Sequence, residues 1–181
     1  KDKIAECIAK FNDQSRADEF KKVFDGYFTA AVFDLRQTDV TVSDGLGQLS
    51  QIGEVWSRSV ELEGTANLGH GWLVRGAYSY NDTEVKEGPF AGNRVVNVPL
   101  HNASLWVKKA WDNGFDAGVG LRHVGDRFGD DGNTVEVEGE TLVDAGVAYE
   151  RGNVVGSLNV TNITDKAYVA NCNPFGCNYG E

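Results

Sequence analysis

No uninterrupted apolar run approaches the ~20 residues a helix needs to cross a bilayer, so a helical membrane protein is excluded. Strands remain the only membrane-spanning route. Basic residues are in short supply: 17 Lys and Arg stand against 27 Asp and Glu, a formal net charge of −10. Nucleic acid, whose phosphates attract basic surfaces, is therefore not an expected partner. The opening stretch KDKIAECIAKF carries Asp2 and Glu6 and has neither a long apolar region nor a small-residue cleavage site, so it does not read as a secretory signal. Proline is scarce, at 3 residues, while glycine reaches 22 beside 4 Trp, 6 Tyr and 9 Phe. Aromatics with glycine-rich turns and little proline suit a β-rich chain.

Catalytic and metal chemistry is equally hard to find. Ser57, Ser59 and Ser79 lie in ordinary alternation rather than in a G-x-S-x-G elbow, and no nucleophile has an evident base, so an enzyme is not expected and no catalytic residue is assigned. His70, His101 and His123 fall in separate segments without ligand spacing, and no metal site is expected among them. The stretch DRFGDDGNT offers Asp126, Asp130 and Asp131, but not in the calcium-loop register, and reads as a solvated acidic loop. No cofactor is implied.

With 41% hydrophobic and 24% charged residues over 181 positions, the chain has the makings of an ordered domain. From Gly26 onward its period is two. In WLVRGAYSY, Trp72, Val74, Gly76, Tyr78 and Tyr80 oppose Leu73, Arg75, Ala77 and Ser79; in FDAGVGLRHV, Phe115, Ala117, Val119 and Leu121 oppose Asp116, Gly118, Gly120 and Arg122. The same split recurs in LVDAGVAYE and GSLNVTN. Seven strands are predicted: Tyr27 to Val42, Ser50 to Asn67, Trp72 to Val85, Val95 to Ala110, Phe115 to Arg127, Glu140 to Glu150 and Val154 to Ala170. Their connections alternate between tight turns (NLGHG, WDNG, ERGN) and longer polar loops (SDGLGQLSQ, KEGPFAGNR, GDDGNTVEVEG, NCNPFGCNYG), which is the signature of a transmembrane β-barrel. Alternation does not say which face points inward. A soluble or surface β-sheet protein that binds without transporting would show the same pattern.

The first residues follow another rule. Ile4, Ile8 and Phe11, then Phe20, Val23 and Phe24, recur at spacings of three and four, which predicts one or two short helices and a boundary near Asp25. Residues 1–25 are thus expected to be a helical segment of unclear origin.

Six segments, GEVWSRSVELEG, AYSYNDTEV, NVPLHNASLW, GVGLRHVGDRFGD, TLVDAGVAY and NVTNITDKAYVANC, resemble in order and spacing the TonB-dependent ferric siderophore receptors, particularly those for hydroxamate chelates such as ferrichrome. The likeness departs at Ser59, where the family has glycine after the arginine, and at Leu100, where it has a basic residue after proline. It implies that residues 26–181 are the C-terminal part of an outer-membrane barrel of about 22 strands, lacking the closing strand, the plug domain and the TonB-box peptide. On this reading the chain is a piece of a larger receptor that stops in its last extracellular loop, and the fold is an all-β, antiparallel segment of about seven strands. The resemblance also implies partners: a ferric siderophore as transported ligand, the TonB complex acting through the plug, and outer-membrane lipid. Glu61, Glu63, Arg75, Asp116, Arg122 and Asn159 would line the lumen. Trp72, Tyr78, Tyr80, Trp106, Trp111 and Tyr149 would belong to the wall and its membrane interfaces. Phe90, Phe128, Phe175 and Tyr179, in the long loops, would contact ligand. Cys172 and Cys177 would form a disulfide in the final loop, leaving Cys7 unpaired.

Overall fold

The computed structural model describes residues 25–43, 49–173 and 176–180. The chain is all β: β1 (Asp25–Ser43), β2 (Leu49–Gly69), β3 (Trp72–Val85), β4 (His101–Ala110), β5 (Phe115–Val124), β6 (Arg127–Phe128), β7 (Glu136–Val137), β8 (Glu140–Arg151), β9 (Val154–Val160), β10 (Tyr168–Asn173) and β11 (Gly176–Gly180). Seven of these form one antiparallel meander in the order β1-β2-β3-β4-β5-β8-β9, while β6-β7 and β10-β11 are separate two-stranded hairpins. The seven predicted strands correspond to the seven of the meander. The helices predicted for the first 24 residues lie outside the described residues; Asp25, placed with them at the sequence level, instead opens β1 and pairs with Asn67.

Three strands stop or start well inside the expected bounds. The strand drawn from Val95 begins only at His101, because Pro99 has no N–H to give a ladder and Asn97 sits in the left-handed region at φ 59°. The strand drawn to Arg127 ends at Val124, and Arg127 belongs to β6. The strand drawn to Ala170 ends at Val160. There the chain turns through Asn162 and Asp165, both at positive φ, with the Asn162 side chain bonded to both backbone groups of Lys166 at 3.0 Å. The final stretch, expected as a loop, is instead the β10-β11 hairpin.

Connections at one end are short. Between β4 and β5 the Asn113 side chain accepts the Phe115 N–H at 3.0 Å, and Gly114, at φ 85°, stands where a Cβ would run into the Glu150 carbonyl. All the longer connections leave from the opposite end. Buried side chains gather there too: Val85, Val137, Leu142 and Cys172, with Ser59, Thr83, Arg127, Glu140 and Asn162. Register puts the buried members of the meander, Ser59, Thr83, Val85, Glu140 and Leu142, on a single face. The described loops at 86–100, 125–139 and 161–167 therefore fold over that one face rather than standing straight off the strand ends.

Candidate transport wall and ligand mouth

Cross-strand register divides the meander into two surfaces, because directly paired residues project to the same side. One surface is apolar: the row Gly76, Leu105, Leu121, Val143 and the row Ala117, Val147, Leu158 run across it. Leu105, Val119, Leu121 and Leu158 are all exposed, and no layer covers this face among the described residues. At one end it is bounded by Trp72 paired with Lys109, whose ammonium lies 5.4 Å from the Trp72 ring and 5.9 Å from that of Trp111. Trp111 in turn meets Phe115, which pairs with Tyr149. At the other end the row Asp34, Arg58, Asp82 is charged throughout, with Arg58 and Asp34 3.6 Å apart. From the Trp72 row to the Asp82 row β3 covers ~33 Å, which at a tilt of ~40° is ~25 Å along a barrel axis, the height of the apolar band of outer-membrane barrels. Tyr78, Tyr80 and His101 lie just inside the charged row; Tyr78 Oη and His101 Nδ1 are 2.8 Å apart.

The other surface is polar. All six residues expected to line a lumen, Glu61, Glu63, Arg75, Asp116, Arg122 and Asn159, fall on it. Lys108 and Asp116 are 3.0 Å apart, and Arg122 reaches Asp144 with two nitrogens while the Asn162 N–H donates to the same carboxylate at 2.9 Å. Trp106, expected among the wall and interface aromatics, is on this polar face instead, beside Arg75. Its indole lies flat across β5, where Gly118 and Gly120 supply the room: a Cβ on Gly118 would stand 2.6 Å from the ring.

The mouth is built from residues 86–100, 125–139, 161–173 and 176–180. Of the expected ligand residues, Phe90 sits in a turn, half-buried, with its carbonyl accepting the Asn93 N–H at 3.0 Å. Phe128 is packed inward: its carbonyl accepts the Asn97 N–H at 2.8 Å and its ring lies 5.9 Å from the Arg94 guanidinium carbon. Tyr179, on the outer strand of the last hairpin, is 76% exposed. Phe175 lies outside the described residues. Among the described residues no ring contact joins Phe90, Phe128 and Tyr179. A disulfide joins Cys172 to Cys177, which face each other across the β10-β11 ladder with Cα atoms 4.0 Å apart.

The acidic loop uses its carboxylates to shape itself. Asp130 accepts from the Thr134 N–H at 2.8 Å, the Val135 N–H at 2.7 Å and the Thr134 hydroxyl at 2.8 Å, and Asp126 accepts from the Gly139 N–H at 2.7 Å. Burial pushes the Asp130 carboxyl up, but the combined hydrogen bonds from Val135, Thr134 and Gly132 outweigh it and hold the group below its ordinary range. Asp131 moves the other way, raised by burial and by the neighbouring Asp130 charge. The three histidines stay apart, His123 bonding Thr141 at 2.9 Å and His70 occupying the β2-β3 turn.

Sequence reasoning missed the residues that hold the mouth together. Arg127 and Glu140 form a buried pair at 3.3 Å, and Arg127 also donates to the carbonyls of Val169 and Ala170. Asn133 bonds both backbone groups of Arg94, at 2.7 and 3.0 Å, and Asn97 does the same to Cys172, at 2.7 and 3.0 Å. Asn97 and Asn133 both adopt positive φ. The available signal was an asparagine beside Gly or before a proline-containing turn, where that residue type tolerates the left-handed region.

Residues 19–163 match the family described as TonB dependent receptor-like, beta-barrel, a match that begins inside the segment read as separate from the barrel. The chain is 36% identical over 165 residues to the ferrichrome outer membrane transporter/phage receptor of Escherichia coli K12 and 35% identical over 166 residues to the ferrioxamine B receptor of Salmonella typhimurium LT2. Each alignment takes in 84% of this chain but only 22% and 24% of the relative, so the chain spans about a quarter of their length. The siderophore receptor PiuA of Acinetobacter baumannii shares the fold, with a TM-score of 0.75 at 23% identity over 86% of this chain and 24% of that one. The ferric yersiniabactin uptake receptor FyuA of Yersinia pestis does so at 0.74 and 22%, over 86% of this chain and 26% of that one. The family consists of transporter receptors rather than enzymes, and its members reside in the bacterial outer membrane. An uncovered apolar face of bilayer height, a polar face opposite and loops gathered at one end are what such a barrel requires, and this chain belongs to the TonB-dependent receptors.

Proposed function

We propose that this chain supplies part of the wall and outer mouth of a receptor that imports a ferric siderophore of the hydroxamate class, energised by the TonB complex through a plug domain. The carrying observation is the asymmetry of the meander: its apolar face matches the outer membrane in height, while the long loops fold over the polar face and so toward the interior of a closed barrel. The polar residues Glu61, Glu63, Arg75, Asp116, Arg122 and Asn159 then line the transport path, and the apolar face meets lipid. Phe90, Phe128, Phe175 and Tyr179 remain the proposed ligand contacts. Of these, Tyr179 has the exposure a contact needs, and Phe128 acts through the packing of the mouth. The printed names of two relatives, receptors for ferrichrome and ferrioxamine B, support the chelate class. A soluble sheet would leave the exposed Leu105, Leu121 and Leu158 against water with nothing over them among the described residues.

The test is growth. In a strain stripped of its hydroxamate receptors, the complete receptor carrying this segment is expected to support growth on ferrichrome or ferrioxamine B as sole iron source, and to stop doing so when TonB is removed. A receptor that reaches the outer membrane and supports growth on neither chelate overturns the reading.

A further inference from the structure

We propose that Asn97 is a positioning residue for the mouth: it fixes where the β10-β11 hairpin sits and so aims Tyr179. The proposal rests on the reading of the mouth as a ligand site. Among the described residues the hairpin is a two-stranded sheet with no ladder to β9 or to any other strand of the meander. Its place must come from other contacts. Between β9 and β10 the turn at Asn162 to Lys166 is tied to β8, through the Ile163 N–H on the Val143 carbonyl at 2.8 Å and the Asn162 N–H on Asp144 at 2.9 Å, but these bonds stop short of β10. Arg127 reaches the same strand that Asn97 does, β10, but only at carbonyls, those of Val169 and Ala170.

Asn97 does more. Its side-chain amide donates to the Cys172 carbonyl at 2.7 Å and accepts the Cys172 N–H at 3.0 Å, so a carboxamide serves one residue of the hairpin edge as a neighbouring strand would. The Asn97 N–H is simultaneously bonded to the Phe128 carbonyl at 2.8 Å. One residue thereby joins the loop after β3, the β6-β7 hairpin and a hairpin 75 positions along the chain. Behind it, the loop is held by the Val95 N–H on the Thr83 hydroxyl at 3.2 Å and by the Asn133–Arg94 pair. In front of it, Cys172 is packed so closely on Gly129 that a Cβ there would stand 2.9 Å from the Cys172 Cβ. The disulfide ties β10 to β11; Asn97 sets the location of the pair.

The chemistry selects asparagine. Aspartate keeps the acceptor for the Cys172 N–H and tolerates φ 59° but has no donor for the carbonyl; glycine keeps the backbone and loses both bonds; glutamine carries the amide too far. Tyr179 stands opposite Val169 in the hairpin, so a tilt of the hairpin moves its ring directly.

The complete receptor in outer-membrane vesicles decides the matter by two measurements. Nitroxides placed at positions 179 and 112 report the hairpin against the short-turn end by pulsed dipolar spectroscopy, and radio-iron ferrichrome reports affinity and maximal uptake in unlabelled protein. Asn97→Gly is expected to broaden the distance distribution and weaken ferrichrome affinity about tenfold, the scale of two lost neutral hydrogen bonds, while uptake at saturation stays at the wild-type rate. Asn97→Asp is expected to recover part of both. A distance and affinity unchanged in Asn97→Gly overturn the proposal, as does a broadened hairpin that binds as wild type, or a fall in maximal uptake with affinity intact. Failure of the wild type to bind ferrichrome or ferrioxamine B would count against the functional reading, and the distance distributions would then still decide whether Asn97 places the hairpin.

Discussion

The wall and the mouth of this molecule are stabilised in opposite ways. In the wall, register runs unbroken through the pairs from Leu62 and Tyr78 to Ala145 and Val160, both faces are open, and the buried position is Gly120 beneath Trp106. In the mouth, short, irregular segments bury their side chains against the strand ends and are held there by amide and guanidinium bridges such as Asn97–Cys172 and Arg127–Glu140. A wall needs only a period, since lipid and the barrel interior complete it. A mouth built of loops lacks long ladders, so its buried backbone groups must find side-chain partners.

Four experiments would break or sharpen that contrast. The largest effect is all-or-none and concerns orientation: in intact cells, an impermeant thiol reagent is expected to label a cysteine introduced at Asp130 and not one at Asn113; the reverse would invert the two ends. Next comes the buried pair. Glu140→Ala strands the Arg127 charge, with a side-chain exposure of 3%, and is expected to destabilise the mouth by ~3–5 kcal/mol. Hydrogen exchange should accelerate across 125–139 and 168–180 but not in β2 and β3, whereas Arg127→Met with Glu140→Leu should recover part of the loss. Uniform acceleration would show that wall and mouth unfold together. Third, Leu121→Arg, near the middle of the apolar band, is expected to cost ~2–4 kcal/mol in denaturant titrations of the refolded barrel. Ser104→Arg on the polar face is expected to cost well under half of that, and equal costs would erase the two-faced wall.

The smallest effect is a pH dependence. The Asp130 carboxyl sits below its ordinary value in the folded loop, so its contribution is present above the unfolded value of 3.8 and is lost as pH falls through the folded one. Asp131, raised in the fold, has the opposite sign: its contribution is present below 3.8 and lost as pH rises through the higher folded value. Protection of the Thr134 and Val135 amides, taken relative to their intrinsic exchange rates at each pH, should therefore fall on acidification below about pH 4, and Asp130→Asn should flatten that change. An unaltered profile in Asp130→Asn would show that the carboxylate does not cap the loop.

The wall was legible because a period of two needs no tertiary information: Trp72 to Tyr80 and Phe115 to Leu121 each declare their faces unaided. The motifs supplied what the period could not, namely which face meets lipid. Trp106 was misplaced because its type suggested an interface, while its side follows from register with Arg75 and Gly120, which lie on other strands. The mouth was largely illegible. Asn97 and Cys172 become neighbours only through folding, and the strand predicted from Val95 had no means of registering that Asn97 turns left-handed. The disulfide came from resemblance and is present; the independence of its hairpin from the meander was not visible at all.

The indole of Trp106 has a consequence for how this sequence can drift. Because the ring occupies the space above both Gly118 and Gly120, the three positions vary as a unit: an alanine at either glycine is admissible only beside a smaller residue at 106. In a library randomised at all three sites, selection for assembled barrels should return Trp with two glycines, or a small residue at 106 with substituted partners, and few combinations between. The polar wall would then carry a covariation signal that spans two strands and reports packing rather than transport.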